Sequence, residues 1–400
     1  MKHTLSLNEA KKAILVSQGI HKTHKLGKGK TATYKALESL NYVQIDSISV
    51  VERAHHHILW NRVENYDPIH IEQLLEDKQI FEYWSHAASY LPMVDYRFTL
   101  PRKSAFAKGD EHWFKKDKKS MSYVLDRIKA EGPLQAKDFK DPRTEKSGWW
   151  DWKPAKVALE QLFMEGKLMA LKRQGFKKVY DLTEHVVPAA IDTRTPSEAE
   201  YFQYLIINYL TANAIGTYQQ ITYLLKGLKV PVKKYCMHMI EEGLLITVNV
   251  DNQSYFALPT VHNLLKTKLS RHRVKILSPF DNLLIQRKRT KELFNYDYQI
   301  ECYVPADKRK FGYFSLPLLW GCMFSGRMDV KMDRKSRVLN VLHLHIETEK
   351  ADEFIVDLKK ELDKFLVFNN GTSIKVCKIT SNRQILTTNK VNDFTSILTT

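Results

Sequence analysis

The apolar positions of the chain recur at helical spacing up to about residue 270 and at strand spacing beyond it. Near the N-terminus, the pattern predicts a first helix that ends at Gly19 and a short helix over residues 34–40. An extended stretch follows, and then a long helix from about residue 47 to 62. Residues 98–120 lose the period and gain charge, which is typical of a basic linker or of a mobile loop.

Residues 121–190 and 195–260 share one order of predicted elements: a long helix, a short helix, a third helix and a two-stranded hairpin. In the first copy, Gly166 marks the end of the third helix. Three helices followed by a two-stranded wing are the order of a winged helix, a variant of the helix-turn-helix. The copies lie about 80 residues apart, farther than solenoid repeats, and therefore predict duplicated domains. Residues 1–97 are interpreted as a third, looser winged-helix-like domain.

Beyond residue 270 the chain alternates strands with turns that contain proline, glycine and charged residues. An amphipathic helix with Ile355, Leu358 and Leu362 on its apolar face closes this region. Residues 270–369 are therefore predicted to form a β-rich C-terminal domain. Residues 370–400 are rich in Thr and Asn without a clear pattern, and are predicted to form a tail. The predicted fold class is α+β.

Composition narrows the class of protein. With 44% hydrophobic and 27% charged residues, the 400-residue chain has the balance of a globular protein and not of a disordered one. It contains neither a membrane-spanning apolar run nor a secretory signal, and its 4 cysteines form no CxxC pair, which fits a reducing, cytoplasmic setting. The formal net charge of +17 favours a polyanionic partner, with nucleic acid ahead of a membrane.

Basic side chains accumulate on the third helix and the wing of the 121–190 domain, the two faces with which a winged helix meets DNA. They are Lys153, Lys156, Lys172, Arg173, Lys177 and Lys178. We expect them to contact phosphates. The alternative is a solvated basic surface, which a protein of this charge has in plenty.

Three other motifs are considered and set aside. The stretch Gly27–Thr31 resembles a phosphate loop but lacks its first glycine and a preceding strand. The histidines at 55–57 are consecutive on a helix, so their side chains cannot converge on one metal ion. His343, His345 and Glu347 alternate along a strand and share a face, but structural histidines explain them better.

Gln44 and Asp46 are the residues with the clearest chemical potential. They lie two apart in a predicted strand, so both side chains emerge on one face while Val43 and Ile45 point to the other. A carboxylate beside an amide can hold and deprotonate a water, and Asp46 could stabilise a developing cation. From spacing alone, a capping or turn aspartate beside a surface glutamine is the simpler interpretation.

Several long stretches resemble the AlkZ/YcaQ family of winged-helix DNA glycosylases. They are residues 40–63, 81–92, 277–320 and 326–341, and they include YVQIDSI, FEYWSHAASYLP and LSPFDNLLIQRKR. The resemblance extends from about Leu5 to Phe368 and does not cover the last 30 residues.

This resemblance implies tandem winged-helix domains in a C-shaped arrangement with a β-rich C-terminal part. It also implies excision of N7-alkylated purines, including those joined in interstrand crosslinks. The family signature is Gln, an apolar residue, then Gln or Asp. Gln44, Ile45 and Asp46 match it in the YcaQ-like form, so the resemblance favours the catalytic interpretation of the pair.

Chemistry agrees with that implication. An N7-alkylpurine already carries positive charge and leaves without a general acid, so the enzyme has to stabilise an oxocarbenium-like sugar and deliver water. A crosslinked base cannot swing free, and an enzyme for it should work from an open, basic cleft. By position, the residues expected to line that cleft are Arg53, His56, Arg62, Arg287, Lys288 and Arg289. Each of them could equally be a surface salt-bridge partner.

The sequence thus predicts a monofunctional DNA glycosylase of base excision repair that uses no metal or organic cofactor. Its expected partner is double-stranded DNA with alkylated or crosslinked purines, and its expected state is a cytoplasmic monomer, nucleoid-associated when bound to DNA. The main alternative is a non-catalytic winged-helix transcriptional regulator, although no heptad seam for dimerisation is present. A relative that kept the fold and lost activity is a second alternative.

Overall fold

The computed structural model describes residues 3–20, 26–109, 115–141 and 152–400. Its α-helices are α1 Leu7–Ser17, α2 Gly29–Leu40, α3 Ala54–Trp60, α4 Ile69–Glu76, α5 Leu100–Lys108, α6 Lys118–Glu131, α7 Pro154–Met164, α8 Thr183–Val186, α9 Glu198–Asn213, α10 Tyr218–Ile221, α11 Lys229–Glu241, α12 Val261–Leu264, α13 Arg287–Phe294, α14 Ala351–Phe368 and α15 Thr388–Thr399. Its strands are β1 His3–Leu5, β2 Val43–Gln44, β3 Ile80–Trp84, β4 Ala88–Pro92, β5 Leu168–Gln174, β6 Lys177–Leu182, β7 Ile215–Gly216, β8 Ile246–Val250, β9 Gln253–Ala257, β10 Val274–Ile276, β11 Ser315–Trp320, β12 Met323–Asp333, β13 Val338–Ile346, β14 Ser373–Val376 and β15 Ile379–Ser381. Short 3-10 helices cover Met93–Thr99, Ala136–Asp138 and Ala306–Lys308.

The strands form four sheets, and the predicted α+β class is confirmed. The sheets are β2-β4-β3, β5-β6, β1-β8-β9-β7, and a larger one in the order β10-β11-β12-β13-β14 with β15 also paired to β13. The predicted order of a long helix, a short helix, a third helix and a hairpin is present twice, as α6 to β6 and as α9 to β9. None of the helices in the described part of the chain is long and apolar enough to cross a membrane.

The N-terminal segment packs against a distant part of the chain. Strand β1 pairs in parallel with β8, and the apolar face of α1 lies in one core with residues of the β8-β9 hairpin and of α13. Ser6 caps α1 and forms a capping box with Glu9. The predicted domain of residues 1–97 is therefore divided, because the apolar face of α1 is covered by the 214–298 region and not by α2.

Residues 98–120 are not a linker throughout, since they contain α5 and the start of α6. The sequence pattern did not indicate this helix because a charged residue occupies one of its inward positions. That residue, Lys103, is only 3% exposed. Its ammonium lies over the rings of Tyr96 at 3.9 Å, Tyr83 at 4.8 Å and Phe81 at 5.7 Å. Helix α5 thus packs onto the β3-β4 sheet and the 3-10 helix that follows it.

The predicted tail is also part of the folded C-terminal region. Strands β14 and β15 both pair in parallel with β13, and α15 packs on α14. Phe394 and Leu398 of α15 are buried in the same core as the large sheet. Two apolar residues four apart in a Thr- and Asn-rich stretch are too weak a signal for a helix, which explains the error.

A buried ion pair joins the residues just after α3 to the segment that precedes α13. The guanidinium of Arg62 donates two hydrogen bonds to Asp281, at 2.7 and 2.9 Å, and both side chains are fully buried. Arg62 also donates to the carbonyl oxygens of Gln18 at 2.7 Å and Ile58 at 2.9 Å. On the other side of α3, the chain from Ser49 to Val51 contacts the large sheet, where Met332 N–H donates to Val50 O at 2.9 Å. The residues around Gln44 and Asp46 are therefore held where several sheets meet.

Candidate active site

Gln44 is the last residue of the edge strand β2, and Asp46 stands just beyond it. Gln44 pairs with Ser89 of β4, and the ladder continues when Ile45 N–H donates to Ala88 O at 2.8 Å. Ile45 is buried in the core beside α3, whereas Asp46 is half-buried. The alternation predicted for an exposed polar face is not observed, because Gln44 is itself buried, at 8% exposure, between Val43 and Ile45.

The turn between β3 and β4 fixes the Gln44 amide. His86 Nε2 lies 2.9 Å from Gln44 Oε1. Burial lowers the pKa of His86 to about 4, so its ring is neutral at physiological pH. Because the amide oxygen only accepts, Nε2 must carry the proton, and Nδ1 then accepts from Ser85 Oγ at 3.3 Å. Oriented in this way, Gln44 keeps its amide N–H groups free of any partner among the described residues.

Asp46 is held by the backbone that follows it. Its Oδ1 accepts a hydrogen bond from Ile48 N–H at 2.8 Å. Burial raises the pKa of Asp46, and hydrogen bonds from the Ile48 and Ser47 N–H groups oppose that rise. The balance leaves an oriented carboxylate with a second oxygen that can accept a proton from water or face a developing cation.

The loop after α13 brings two residues close to Asp46 that the sequence analysis missed. The negative charge of Asp46 contributes to raising the pKa values of Cys302 and Tyr303, after the larger effect of burial. Tyr303 is nevertheless 74% exposed. No local pattern in the sequence distinguishes it from the other tyrosines of this region, because its position follows from tertiary packing.

Gln44 and His86 line an open cavity of about 660 Å³, here called the Gln44 cavity. Its other walls include Gln220 and Tyr223, in and just after α10, and Arg287 and Lys288 at the start of α13. The exposed side chains of Arg287 and Lys288 thus lie where the sequence predicted basic residues. The arrangement places an amide and cations around one space that is large enough for a nucleotide.

Two of the cations predicted for the cleft are buried and make structural contacts, although Arg289 also lines the Gln44 cavity as predicted. Arg62 forms a fully buried ion pair with Asp281 and is therefore not available to DNA. Arg289 is 4% exposed and donates to the carbonyl oxygens of Asn213 at 2.9 Å and Ile215 at 3.2 Å. Arg289 lies on the inner face of α13, whereas Arg287 and Lys288 lie on its outer face. The sequence of three adjacent basic residues does not show which of them faces inward.

Arg53 and His56 lie away from the walls of the Gln44 cavity. The guanidinium of Arg53 lies 4.3 Å from the ring centre of Phe176, at the tip of the β5-β6 hairpin. His56 Nδ1 is 2.7 Å from the hydroxyl of Tyr66, and burial lowers the pKa of His56 to about 4. Both residues therefore contribute to packing around α3.

The basic residues predicted on the 121–190 domain divide into paired and unpaired ones. Arg173 forms a bidentate pair with buried Glu82, with both contacts at 2.8 Å, and Lys178 pairs with Glu160 at 3.0 Å. These two are not available to DNA, which corrects the prediction for them. The exposed or half-buried remainder comprises Lys153, Lys156, Lys172 and Lys177, of which Lys156 lies over the ring of Trp152 at 3.6 Å.

A further basic surface was missed in the sequence. Lys226, Lys229, Lys233 and Lys234 are exposed on α11 and the turn before it, and none of them forms an ion pair within the ranges that the structure describes. We call this group the α11 lysines. It borders α10, which lines the Gln44 cavity. The sequence could have predicted this surface, because residues 226, 229 and 233 follow the spacing of one helical face.

The motifs set aside earlier have structural roles where they are described. Lys30 pairs with Asp77, and His343 and His345 both contact the hydroxyl of Thr380, at 2.7 and 2.8 Å. Glu347 pairs with Arg327 at 2.5 Å instead of facing the histidines. In the described residues no three His, Cys, Asp or Glu side chains form a group that could hold a metal ion.

Comparison with known proteins gives two results. The model of the family described as "DNA glycosylase AlkZ-like" matches residues 37–368. Among solved structures, the DNA glycosylase AlkZ of Streptomyces sahachiroi is similar, with a TM-score of 0.59 and 14% sequence identity. That match covers 94% of this chain and 100% of the other. At this identity the structural likeness concerns the fold alone.

Proposed function

The chain belongs to the AlkZ-like DNA glycosylase family, and we propose that it hydrolyses the N-glycosidic bond of N7-alkylated purines, including those in interstrand crosslinks. The observation that carries this proposal is the position of Gln44 in the wall of an open cavity that is also lined by Arg287 and Lys288, with the half-buried Asp46 two residues along the chain. We further infer that α6–β6 and α9–β9 are tandem winged-helix domains of a C-shaped monomer, because both have the element order of that motif.

The proposed reaction needs two residues and a water. The N7-alkylated base carries positive charge and departs as a neutral purine, so no general acid is required. Asp46 stabilises the cationic sugar electrostatically and accepts the proton of the attacking water. Gln44 donates an amide N–H to the water oxygen, and His86 keeps that N–H turned outward by donating to Gln44 Oε1 at 2.9 Å.

The substrate lies across a basic surface in this proposal. The α11 lysines contact phosphates on one side of the Gln44 cavity, and Arg287 and Lys288 contact them on the other. Phosphate contacts of this kind supply affinity without reading sequence, as a repair enzyme requires. An open cavity of about 660 Å³ also accommodates a purine that stays tethered to the opposite strand.

A monofunctional mechanism is proposed because Lys103, whose pKa lies near neutral pH, is enclosed. Burial lowers the pKa of Lys103 to about 7, which suits a Schiff-base nucleophile. Its amine, however, faces three aromatic rings in the core and is 3% exposed, so a deoxyribose cannot reach it. The transcriptional regulator is not retained, since the family match spans residues 37–368 and includes the Gln44 and Asp46 region.

The test is base release from defined duplexes. An oligonucleotide with a single N7-methylguanine is incubated with the protein, and abasic sites are detected by alkaline cleavage. A second duplex carries an N7-linked interstrand crosslink, whose unhooking is followed on a denaturing gel. Release from both supports the proposal, and borohydride should trap no covalent complex. Tight DNA binding without release from either would refute it.

A further inference from the structure

A second cavity adjoins the Gln44 cavity and has a different lining. It has a volume of about 210 Å³ and lies between the β3-β4 turn, α9 and the segment before α13. Its aromatic walls are Tyr42, Trp84, Tyr204 and Tyr209, and we call it the aromatic chamber. It shares His86, Gln220, Tyr223, Ile285 and Gln286 with the Gln44 cavity, so the two spaces meet beside Gln44.

The chamber also contains a buried acceptor that no donor satisfies. Asn282 Nδ2 donates to Tyr42 O at 3.0 Å, whereas Asn282 Oδ1 is buried and has no hydrogen-bond partner among the described residues. A buried acceptor without a donor costs stability, so its presence in a chamber wall points to a ligand with an N–H group. Flat aromatic walls together with such an acceptor suit a planar heteroaromatic ring.

We propose that the aromatic chamber receives the purine of a single-base N7 adduct, turned out of the duplex, while the sugar remains at Gln44 and Asp46. This inference rests on the proposed function. The base stacks on the tyrosine and tryptophan rings and donates an N–H to Asn282 Oδ1. A crosslinked base is tethered and does not enter, so the chamber serves single-base adducts and the Gln44 cavity serves both kinds of lesion.

Arg102 gives the chamber a preference for the departing base. Its guanidinium lines the chamber and donates to the carbonyl oxygen of Ser85 at 2.7 Å, which also anchors the turn that carries His86. The alkylated purine is cationic while bonded to the sugar and neutral once released. The positive charge of Arg102 repels the cationic base in the ground state. As the glycosidic bond breaks, the base loses its positive charge and this repulsion weakens. The transition state is therefore favoured over the ground state.

Filling the chamber tests the proposal. Leu205 lines the chamber from α9, and Leu205→Trp places a large ring inside it. Gln203 is exposed on the same helix, so Gln203→Trp adds the same side chain toward solvent and serves as the matched control. In single-turnover release of N7-methylguanine from a duplex, we expect Leu205→Trp to be slower by about tenfold or more and Gln203→Trp to match wild type. Equal rates for a folded Leu205→Trp and wild type would overturn the proposal.

Calorimetric titration with free 7-methylguanine gives a readout that needs no catalysis. Binding to wild type and Gln203→Trp but not to Leu205→Trp supports the chamber as the purine site. No binding to wild type, or equal binding to all three proteins, overturns it. If wild type releases no base from any damaged duplex, the proposed function fails, and the calorimetric result still decides the role of the chamber.

Discussion

The enclosed amine of Lys103 should make the stability of this protein depend on pH in a calculable way. Burial lowers the pKa of Lys103 from 10.5 to about 7 in the folded state, and its Nζ has no hydrogen-bond partner in the described part of the chain. A shift of this size corresponds to about 5 kcal/mol, at about 1.4 kcal/mol per pH unit. The ring of Tyr96, 3.9 Å from the ammonium, attracts the charged form and offsets about 2 kcal/mol of that cost.

The sign follows from proton binding. Because the folded pKa lies below the unfolded one, the unfolded chain binds more protons between these values, and stability rises with pH across that window. Lys103→Met keeps the length of the side chain and removes the ionisation. The free energy of unfolding of Lys103→Met minus that of wild type should therefore fall by about 2 to 3 kcal/mol between pH 7 and pH 10.

Urea unfolding followed by tryptophan fluorescence at both pH values measures this difference. Lys108→Met is the control, because Lys108 is exposed on the same helix, and its difference from wild type should not change with pH. Tyrosines that titrate near pH 10 affect all three proteins and cancel. If the difference in free energy of unfolding between Lys103→Met and wild type stays constant from pH 7 to pH 10, the assignment of a buried amine with a lowered pKa is refuted.

Three further predictions concern the site and its supports. His86→Ala should slow base release by about tenfold with DNA affinity unchanged, because the Gln44 amide loses its anchor, and His86→Gln should restore part of the rate in the same single-turnover assay. Replacing Lys229 and Lys233 by Gln should lower the slope of log binding constant against log salt by about 2 in fluorescence anisotropy, whereas an unchanged slope would remove α11 from the interface. Arg62→Met should destabilise the fold by about 3–5 kcal/mol in urea unfolding, because Asp281 is left as a buried unpaired charge, and a milder loss would mean that the pair is hydrated.

Local patterns in the sequence predict the helices and hairpins well where apolar residues repeat over several turns. The two copies of helix, short helix, helix and hairpin are found at the predicted positions, because each helix buries one periodic face. Prediction failed for segments whose partners are distant in sequence. Strand β1 pairs with β8, which lies more than 240 residues away in the sequence, and His3 is opposite Val248. No local pattern in the sequence indicates that pairing.

The chemistry of the site could be predicted only in part, for a related reason. Strand spacing alone favours a structural interpretation of Gln44 and Asp46, and the family resemblance is what predicts a catalytic role for them. Which cations are free depends on tertiary partners, as Arg62 and Arg173 show by pairing with buried carboxylates. His86 could not be found from sequence either, because its contact with Gln44 arises from the pairing of β2 with β4.

The central claim is that Asp46 acts on the sugar and the water during base release. Single-turnover release of N7-methylguanine from a duplex by wild type and by Asp46→Asn, with DNA affinity measured in parallel, tests it directly. Asparagine keeps the shape and the hydrogen bond from Ile48 N–H but removes the charge. We predict a loss of about hundredfold or more in rate with unchanged affinity. A rate near that of wild type for Asp46→Asn would contradict the account.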